Sequence, residues 1–258
     1  MEDNEQLISQ FSEKGLHWGS RRSFIHPKMK KFIFTYKGDL AVINLQKSAE
    51  LWEKTFAALA ELFSQNKTVL FVATQPVAET VVRKYGQELG FPYITTRWLG
   101  GTITNFDTFK KRLDYLKELE AKVASPDLEK YTKKERGLIQ KEAAEIKEKF
   151  DGMVKMTAMP DAVFVFCGKK HRTALKEAKR KGIKVFGIFG LEDNPDEAHL
   201  FVPLNDNVKI GVEFVMEKVA EVYAKFHPKK DSANEAGNGV KKETKKPDGK
   251  KEDSVKID

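Results

Sequence analysis

Two stretches of this sequence carry cations with almost no acid to balance them. Between Lys14 and Lys37 there are seven Lys and Arg and no Asp or Glu. Between Gly168 and Lys184, eight stand against the single acid Glu177. Solvated surfaces normally mix both signs, so one-signed runs point to neutralisation of phosphates. In the first run, Arg21, Arg22, Lys28, Lys30 and Lys31 interleave with the rings of His17, Trp18, Phe24, His26 and Phe32. Cations suit phosphates and planar rings suit unpaired bases, a mixture that fits RNA. The aromatic rings have an equally good second reading, as anchors of this segment to a core. In the second run, Lys169, Lys170 and Arg172 offer further phosphate contacts, and Arg97 offers another at the head of Arg97-Trp98-Leu99-Gly100-Gly101-Thr102-Ile103-Thr104-Asn105. The glycine pair in that string could present backbone N–H groups to an anion. Such a pair more often makes a tight turn, and a close backbone crossing beneath the Trp98 ring competes with the anion reading.

Catalysis finds little support. No G-x-G-x-x-G follows a strand, and no G-x-x-x-x-G-K-[ST] or G-x-S-x-G occurs. Cys167 and His171 have a C-x3-H spacing with His199 further on, but structural zinc takes four ligands in tight pairs, so no metal is expected there. Cys167 should end a buried strand, where a thiol is inert. No cofactor is expected. The alternative to keep is an α/β phosphate- or nucleotide-binding enzyme, because open parallel sheets take such ligands at their strand ends.

These residues must be positioned by a globular body. The 258 residues are 40% hydrophobic and 33% charged, with a formal net charge of +8 and a pI of about 9.2. The excess favours an anionic partner. No stretch approaches the ~20 apolar residues of a spanning helix, and Met1 to Gln10 lacks the apolar core of a signal peptide. A lone cysteine rules out an intramolecular disulfide and fits a reducing cytoplasm.

The apolar pattern predicts helix at 3–13, loop plus a short strand at 14–37, and strand at 40–45. Helix is predicted at 48–65, strand at 68–73, helix at 77–89 closed by Gly90, and strand at 93–95. From Asn105 to Met153 the apolar residues recur only at three- and four-residue steps. Phe106, Phe109, Leu113, Leu116, Leu119 and Val123 mark one helix; Leu138, Ile139, Ala143, Ile146, Phe150 and Met153 mark a second. Ser125-Pro126-Asp127 breaks them, and Asn105 or Thr104 is the expected N-cap. Each stripe is narrow, so the pair should form an antiparallel coiled-coil hairpin that projects from the domain. Alternation resumes with strands at 161–166, 184–189 and 200–202 and helices at 171–181 and 206–226. The predicted fold is α/β: an open parallel sheet with helices on both faces, flavodoxin-like or Rossmann-like, carrying the inserted hairpin. The domains are then 1–104 with 154–226, the hairpin 105–153, and a charged tail 227–258 expected to be disordered.

The string from Arg97 to Asn105 resembles the R-W-x-G-G-x-x-T-N signature of the small-subunit ribosomal protein S-two family. Gly15-Leu16-His17-Trp18-Gly19, Pro27-Lys28-Met29, Asn44-Leu45-Gln46-Lys47, Met159-Pro160-Asp161 and Pro203-Leu204-Asn205-Asp206 resemble further family motifs in the same order, across roughly residues 7 to 225. Ile25-His26 departs from the family's usual Trp-Asn. The resemblance implies a non-catalytic constituent of the small ribosomal subunit, in the cytoplasm, that binds small-subunit rRNA. It also implies docking of neighbouring ribosomal proteins, including the large mRNA-binding protein S-one. A coiled-coil scaffold without RNA is the remaining rival, and it leaves both basic runs unexplained.

Overall fold

A computed structural model describes residues 2–125, 131–154 and 156–227. Pro126 and Asp127 of the predicted break and the tail beyond His227 lie outside the described residues. In chain order, α1 (Glu2–Glu13) is followed by β1 (Trp18–Arg21), β2 (Ile33–Lys37) and β3 (Leu40–Ile43). Next come α2 (Leu45–Ser64), β4 (Val69–Val72), α3 (Pro76–Leu89), β5 (Tyr93–Ile94), α4 (Phe106–Ala124) and α5 (Lys133–Phe150). The chain closes with β6 (Ala162–Phe166), α6 (Arg172–Arg180), β7 (Lys184–Phe189), β8 (Leu200–Pro203) and α7 (Lys209–Phe226).

Five strands form a wholly parallel sheet in the order β5-β4-β6-β7-β8, the flavodoxin-like order. Its strands are apolar on both faces, and the two-residue period sorts their side chains into two cores. Phe71, Phe164, Phe166, Phe186 and Ile188 face a layer built from α1, α2, α3 and α7, centred on Phe11, Leu59, Phe63 and Val215. Leu70, Val72, Val163, Val165 and Phe189 face the opposite way, towards Leu175 and Ala178 of α6, Phe109 and Phe150 of α4 and α5, and Met29, Ala41 and Ile43. Each buried side chain of this size contributes roughly 1.5–3 kcal/mol, so both layers matter to stability.

Residues 14–45 differ from expectation. The predicted strand at 40–45 does not open the parallel series; as β3 it pairs antiparallel with β1 and β2 in a separate sheet of order β1-β3-β2. Lys37 pairs with Leu40 across Gly38-Asp39, with Gly38 at φ 61°. A Gly-Asp pair between two β-forming runs is a two-residue hairpin signal; without it, β2 reads as loop. The small sheet covers one edge of the second core through Ala41 and Ile43. α2 also begins earlier than its apolar spacing predicts. Asn44 Oδ1 accepts from the backbone N–H groups of Gln46 (3.1 Å) and Lys47 (3.3 Å), and this cap fixes the first turn.

α4 and α5 form the predicted antiparallel pair. Tyr115 Oη donates to Glu142 (3.0 Å) and Lys147 pairs with Glu120 (2.8 Å) across the seam. Phe109, Leu113, Leu116 and Leu119 of α4 are buried, as are Ala143 and Phe150 of α5. Leu138, predicted for the seam, is 59% exposed. The base of the hairpin is continuous with the domain: Phe109, Phe150 and Met153 belong to the same core as Ile94 and Ile103. His227 stacks on Tyr223 (4.2 Å) and hydrogen-bonds Asn66 (2.9 Å), so the packed chain includes the first residue of the predicted tail.

Candidate nucleic-acid interface

The two basic runs and the Arg97 string, far apart in sequence, meet around α6. Glu177 organises this junction. It is 5% exposed and points inward, away from the cations beside it on the helix. Its Oε1 accepts from Trp98 Nε1 (3.1 Å) and Gly101 N (2.9 Å); its Oε2 accepts from Ile103 N (3.1 Å), Thr104 N (3.1 Å) and Thr104 Oγ1 (3.0 Å). Burial alone would raise its pKa, but these donors, Gly101 and Thr104 foremost, hold the carboxyl below its ordinary value. The loop N–H groups therefore do cradle an anion, and that anion is the protein's own. Thr104 is thus spent on Glu177, and Asn105 occupies the N-cap position of α4 without a side-chain cap bond.

The glycine pair splits into two roles. A Cβ at Gly100 would meet nothing within 4 Å, so the pair is not needed for a crowded crossing under Trp98. Gly101 sits at φ 93°, where an L side chain is strained. Gly101→Ala is accordingly expected to destabilise the protein by about 1–2 kcal/mol in chemical denaturation. Gly100→Ala should cost much less.

With Glu177 turned inward, the only charges α6 shows to solvent are the cations Arg172, Lys176, Lys179 and Arg180, with Thr173 exposed beside them. The last three cations were not singled out from the sequence, although they follow Arg172 by four, seven and eight residues, the spacing of one helix face. The first basic run adjoins this helix. Lys28 forms an ion pair with Asp196, which lies on a 3-10 turn (Pro195–Glu197) packed against α6. His26 N donates to Leu191 O (2.9 Å), and its Nδ1 accepts from Lys28 N (3.3 Å). Lys169 pairs with Glu192 (2.7 Å), which raises its pKa, and lies 5.9 Å from the Phe24 ring centroid. Arg22 stacks over Tyr36 at 4.1 Å. Arg21, Arg22, Lys30, Lys31, Arg97, Lys170 and Arg172 are exposed and form no ion pair among the described residues.

The rings divide between the two readings. Phe32 is an anchor, 7% exposed and edge-on to Phe201 at 5.5 Å. Phe24 is 56% exposed. His17 and Trp18 are half-buried, 4.8 Å apart, with Lys37 over Trp18 at 5.4 Å. Phe34 and Tyr36, which sequence reasoning passed over, are exposed on β2 beside Arg22. Their signal was the missed hairpin.

The crevice at the carboxyl ends of β4, β6, β7 and β8 bears on the nucleotide reading. It encloses about 370 Å³ and is lined by Gln75, Cys167, Lys170, Asp193 and Asp206, among others. Its lining mixes the buried acids Asp193 and Asp206 with Lys169, Lys170 and Glu192. Burial pushes Asp206 above the usual carboxylate range and Asp193 up to about 7, and raises the Cys167 thiol too. His171 is no partner for the Cys167 thiol. Its Nε2 accepts from Thr74 N (3.1 Å) and its Nδ1 faces Cys167 O (2.8 Å), which ties β4 to β6 through a neutral ring whose pKa burial lowers.

Comparison with known proteins decides the family. The family model described as "Ribosomal protein S2" matches residues 12–225. The chain is 32% identical over 218 residues to the small ribosomal subunit protein uS2 of Thermus thermophilus, covering 84% of this chain and 85% of that one. It is 32% identical over 234 residues to uS2 of Dehalococcoides mccartyi, covering 91% of each. This chain belongs to the ribosomal protein S2 family. Its members are structural proteins of the small ribosomal subunit, not enzymes, so the phosphate-binding enzyme falls away as an alternative. The parallel sheet predicted from alternation is the fold this family member has. No described helix is long and apolar enough to cross a membrane.

Proposed function

We propose that this chain binds small-subunit rRNA through the surface centred on α6, and that its helical hairpin docks neighbouring ribosomal proteins, the large mRNA-binding protein S-one among them. The observation that carries the RNA reading is the inward turn of Glu177, which leaves α6 one-signed and sets Arg97 and the 14–37 segment beside it. Arg21, Arg22, Lys30, Lys31, Lys170 and Arg172 make the phosphate contacts, with His17, Trp18 and His26 lining the same segment. Lys28 and Lys169 contribute less, because Asp196 and Glu192 already neutralise them. The exposed Tyr131 and Leu138 near the hairpin tip support the docking role.

Sedimentation of the full-length chain through a lysate gradient tests membership of the subunit; a free-protein peak alone would count against it. The RNA surface is tested by salt dependence. Each phosphate contact adds about 0.7–0.9 to the slope of log affinity against log salt. Arg21→Ala with Arg22→Ala is expected to flatten that slope by about one to two, and Lys28→Ala to change it by much less. Equal effects from the arginine pair and from Lys28 would contradict the assignment.

A further inference from the structure

The small antiparallel sheet carries apolar side chains that neither core uses. Ala41 and Ile43 of β3 face the core, so Leu40 and Val42 point to the opposite face. Residues paired across strands share a face, which sets Trp18 and Thr35 beside Val42, and Arg21 and Lys37 beside Leu40. Trp18, Leu40 and Val42 belong to neither core, and Leu40 is 40% exposed. β2 is an edge strand with one residue more than its partner can match. Ile33 and Thr35 pair with the consecutive residues Ile43 and Val42, so Phe34 is bulged. A bulge re-aims its side chain, and the Phe34 ring is 72% exposed, more than any other large apolar side chain among the described residues. Tyr36 follows on the same edge, with the Arg22 guanidinium over its ring at 4.1 Å. An uncovered edge strand bearing bare rings invites mispairing. These rings call for an occupant.

The charge around them says which. None of the three strands carries an acid, and Asp39, at the hairpin turn, is the one acid between Lys14 and Lys47. Arg21, Arg22 and Lys37 form no ion pair among the described residues. Exposed rings framed by unpaired cations suit a polymer of flat bases joined by phosphates. We propose that this edge binds unpaired RNA nucleotides, with Phe34 carrying one base and the Arg22–Tyr36 pair the next. Arg21 and Lys37 then meet the phosphates of the same segment. Spacing favours unpaired bases over a duplex. Residues two apart on a strand are roughly 7 Å apart, about twice the 3.4 Å base step of a duplex strand. Only bases freed from their own stack can reach both platforms. The proposal rests on the RNA reading above and deepens it, because that reading puts phosphates on the 14–37 segment without saying whether their bases are paired.

The test uses the purified full-length chain and two labelled RNAs. One is a single-stranded oligouridylate, whose bases stack poorly on one another; the other is a blunt duplex with as many phosphates. Phe34→Ala with Tyr36→Ala should weaken oligouridylate binding by roughly ten-fold or more. The salt slope should not change, because no cation is removed, and duplex affinity should stay parental. Phe34→Trp should keep parental affinity, and its indole fluorescence should be quenched by oligouridylate and not by duplex. Circular dichroism checks each fold; Phe34→Ala alone, at the more exposed ring, carries the test if the double variant melts early. A ring-free variant that binds oligouridylate as the parent does, an equal loss for both RNAs, or an unquenched Phe34→Trp would each overturn the platform. A parent that binds duplex and not oligouridylate sinks the platform while the α6 surface stands; a parent that binds neither sinks the RNA reading itself. Ring removal that spares RNA binding but costs purified subunits a neighbouring protein would assign the rings to a protein interface instead.

Discussion

Glu177→Gln is expected to lower stability by about 3 kcal/mol, because a neutral amide cannot replace an acceptor that serves five donors. Whichever way the amide turns, its NH2 displaces one oxygen. Turned towards Trp98 and Gly101, it strands the indole N–H and the Gly101 N–H; turned the other way, it strands the backbone N–H groups of Ile103 and Thr104. Two buried donors without acceptors cost about 1–3 kcal/mol each. For a domain of this size, that corresponds to a fall in melting midpoint of roughly 6–12 °C. The same residue sets an acid limit. Its folded pKa lies below the ordinary 4.5, so its contribution is fully present above that value and is lost as pH falls below it towards the folded pKa. The variant should lose that part of the acid dependence. Thermal melts of parent and variant between pH 7 and pH 3 check both effects, and a variant melting within a degree or two of the parent would show that the carboxylate does not hold the loop. RNA affinity should fall alongside stability, since Arg97 is carried by this loop.

The hairpin gives the second large effect, and it depends on where the cut is made. From its composition, two narrow apolar stripes flanked by charge, the hairpin should be removable between residues 107 and 150. That cut would take away Phe109 and Phe150, which pack on each other at 5.2 Å and belong to the core beneath β5. Truncating a large core aromatic costs about 3–5 kcal/mol, so losing both consumes most of the ~5–15 kcal/mol that holds a domain folded. We expect this variant to be largely unfolded at 37 °C. Replacing only residues 117–142 by a short Gly/Ser linker spares both rings. Tyr115 and Glu142 already touch across the seam, so the linker has little to span. That variant should keep the circular dichroism of the domain and melt close to the parent, yet incorporate poorly or recruit fewer neighbours in purified subunits. If it unfolds too, the outer hairpin belongs to the core; if it assembles with every neighbour at parental occupancy, the hairpin docks nothing.

Most elements of the parallel sheet are legible in the chain because their evidence is local. Thr68 to Ala73 and Ala162 to Phe166 are uninterrupted runs of β-formers, which a strand buried on both faces requires. Gly90 closes α3 in the left-handed conformation that glycine favours. The two stripes between Asn105 and Met153 show their helical period without help from any other part of the chain. What failed locally was the hairpin turn at Gly38-Asp39. Reading through it merged β2 into a loop, assigned β3 to the wrong sheet and hid the exposed Phe34 and Tyr36.

The sequence by itself determined the α/β pattern, the helical insertion, the two basic runs and, through the spacing of its motifs, the family resemblance. Only the tertiary structure decided what the cations face. In the chain, Glu177 reads as the one acid that dilutes a basic run; in the fold it leaves the surface and holds a loop 73 to 79 residues away in sequence. The same holds for Lys28 and Lys169, whose partners lie 168 and 23 residues away, and for the cluster of Cys167, Asp193 and Asp206. Periodicity reports which side of its own helix or strand a residue occupies. Which distant group neutralises it depends on how the crossovers bring loop ends together, and that is a property of the packed sheet.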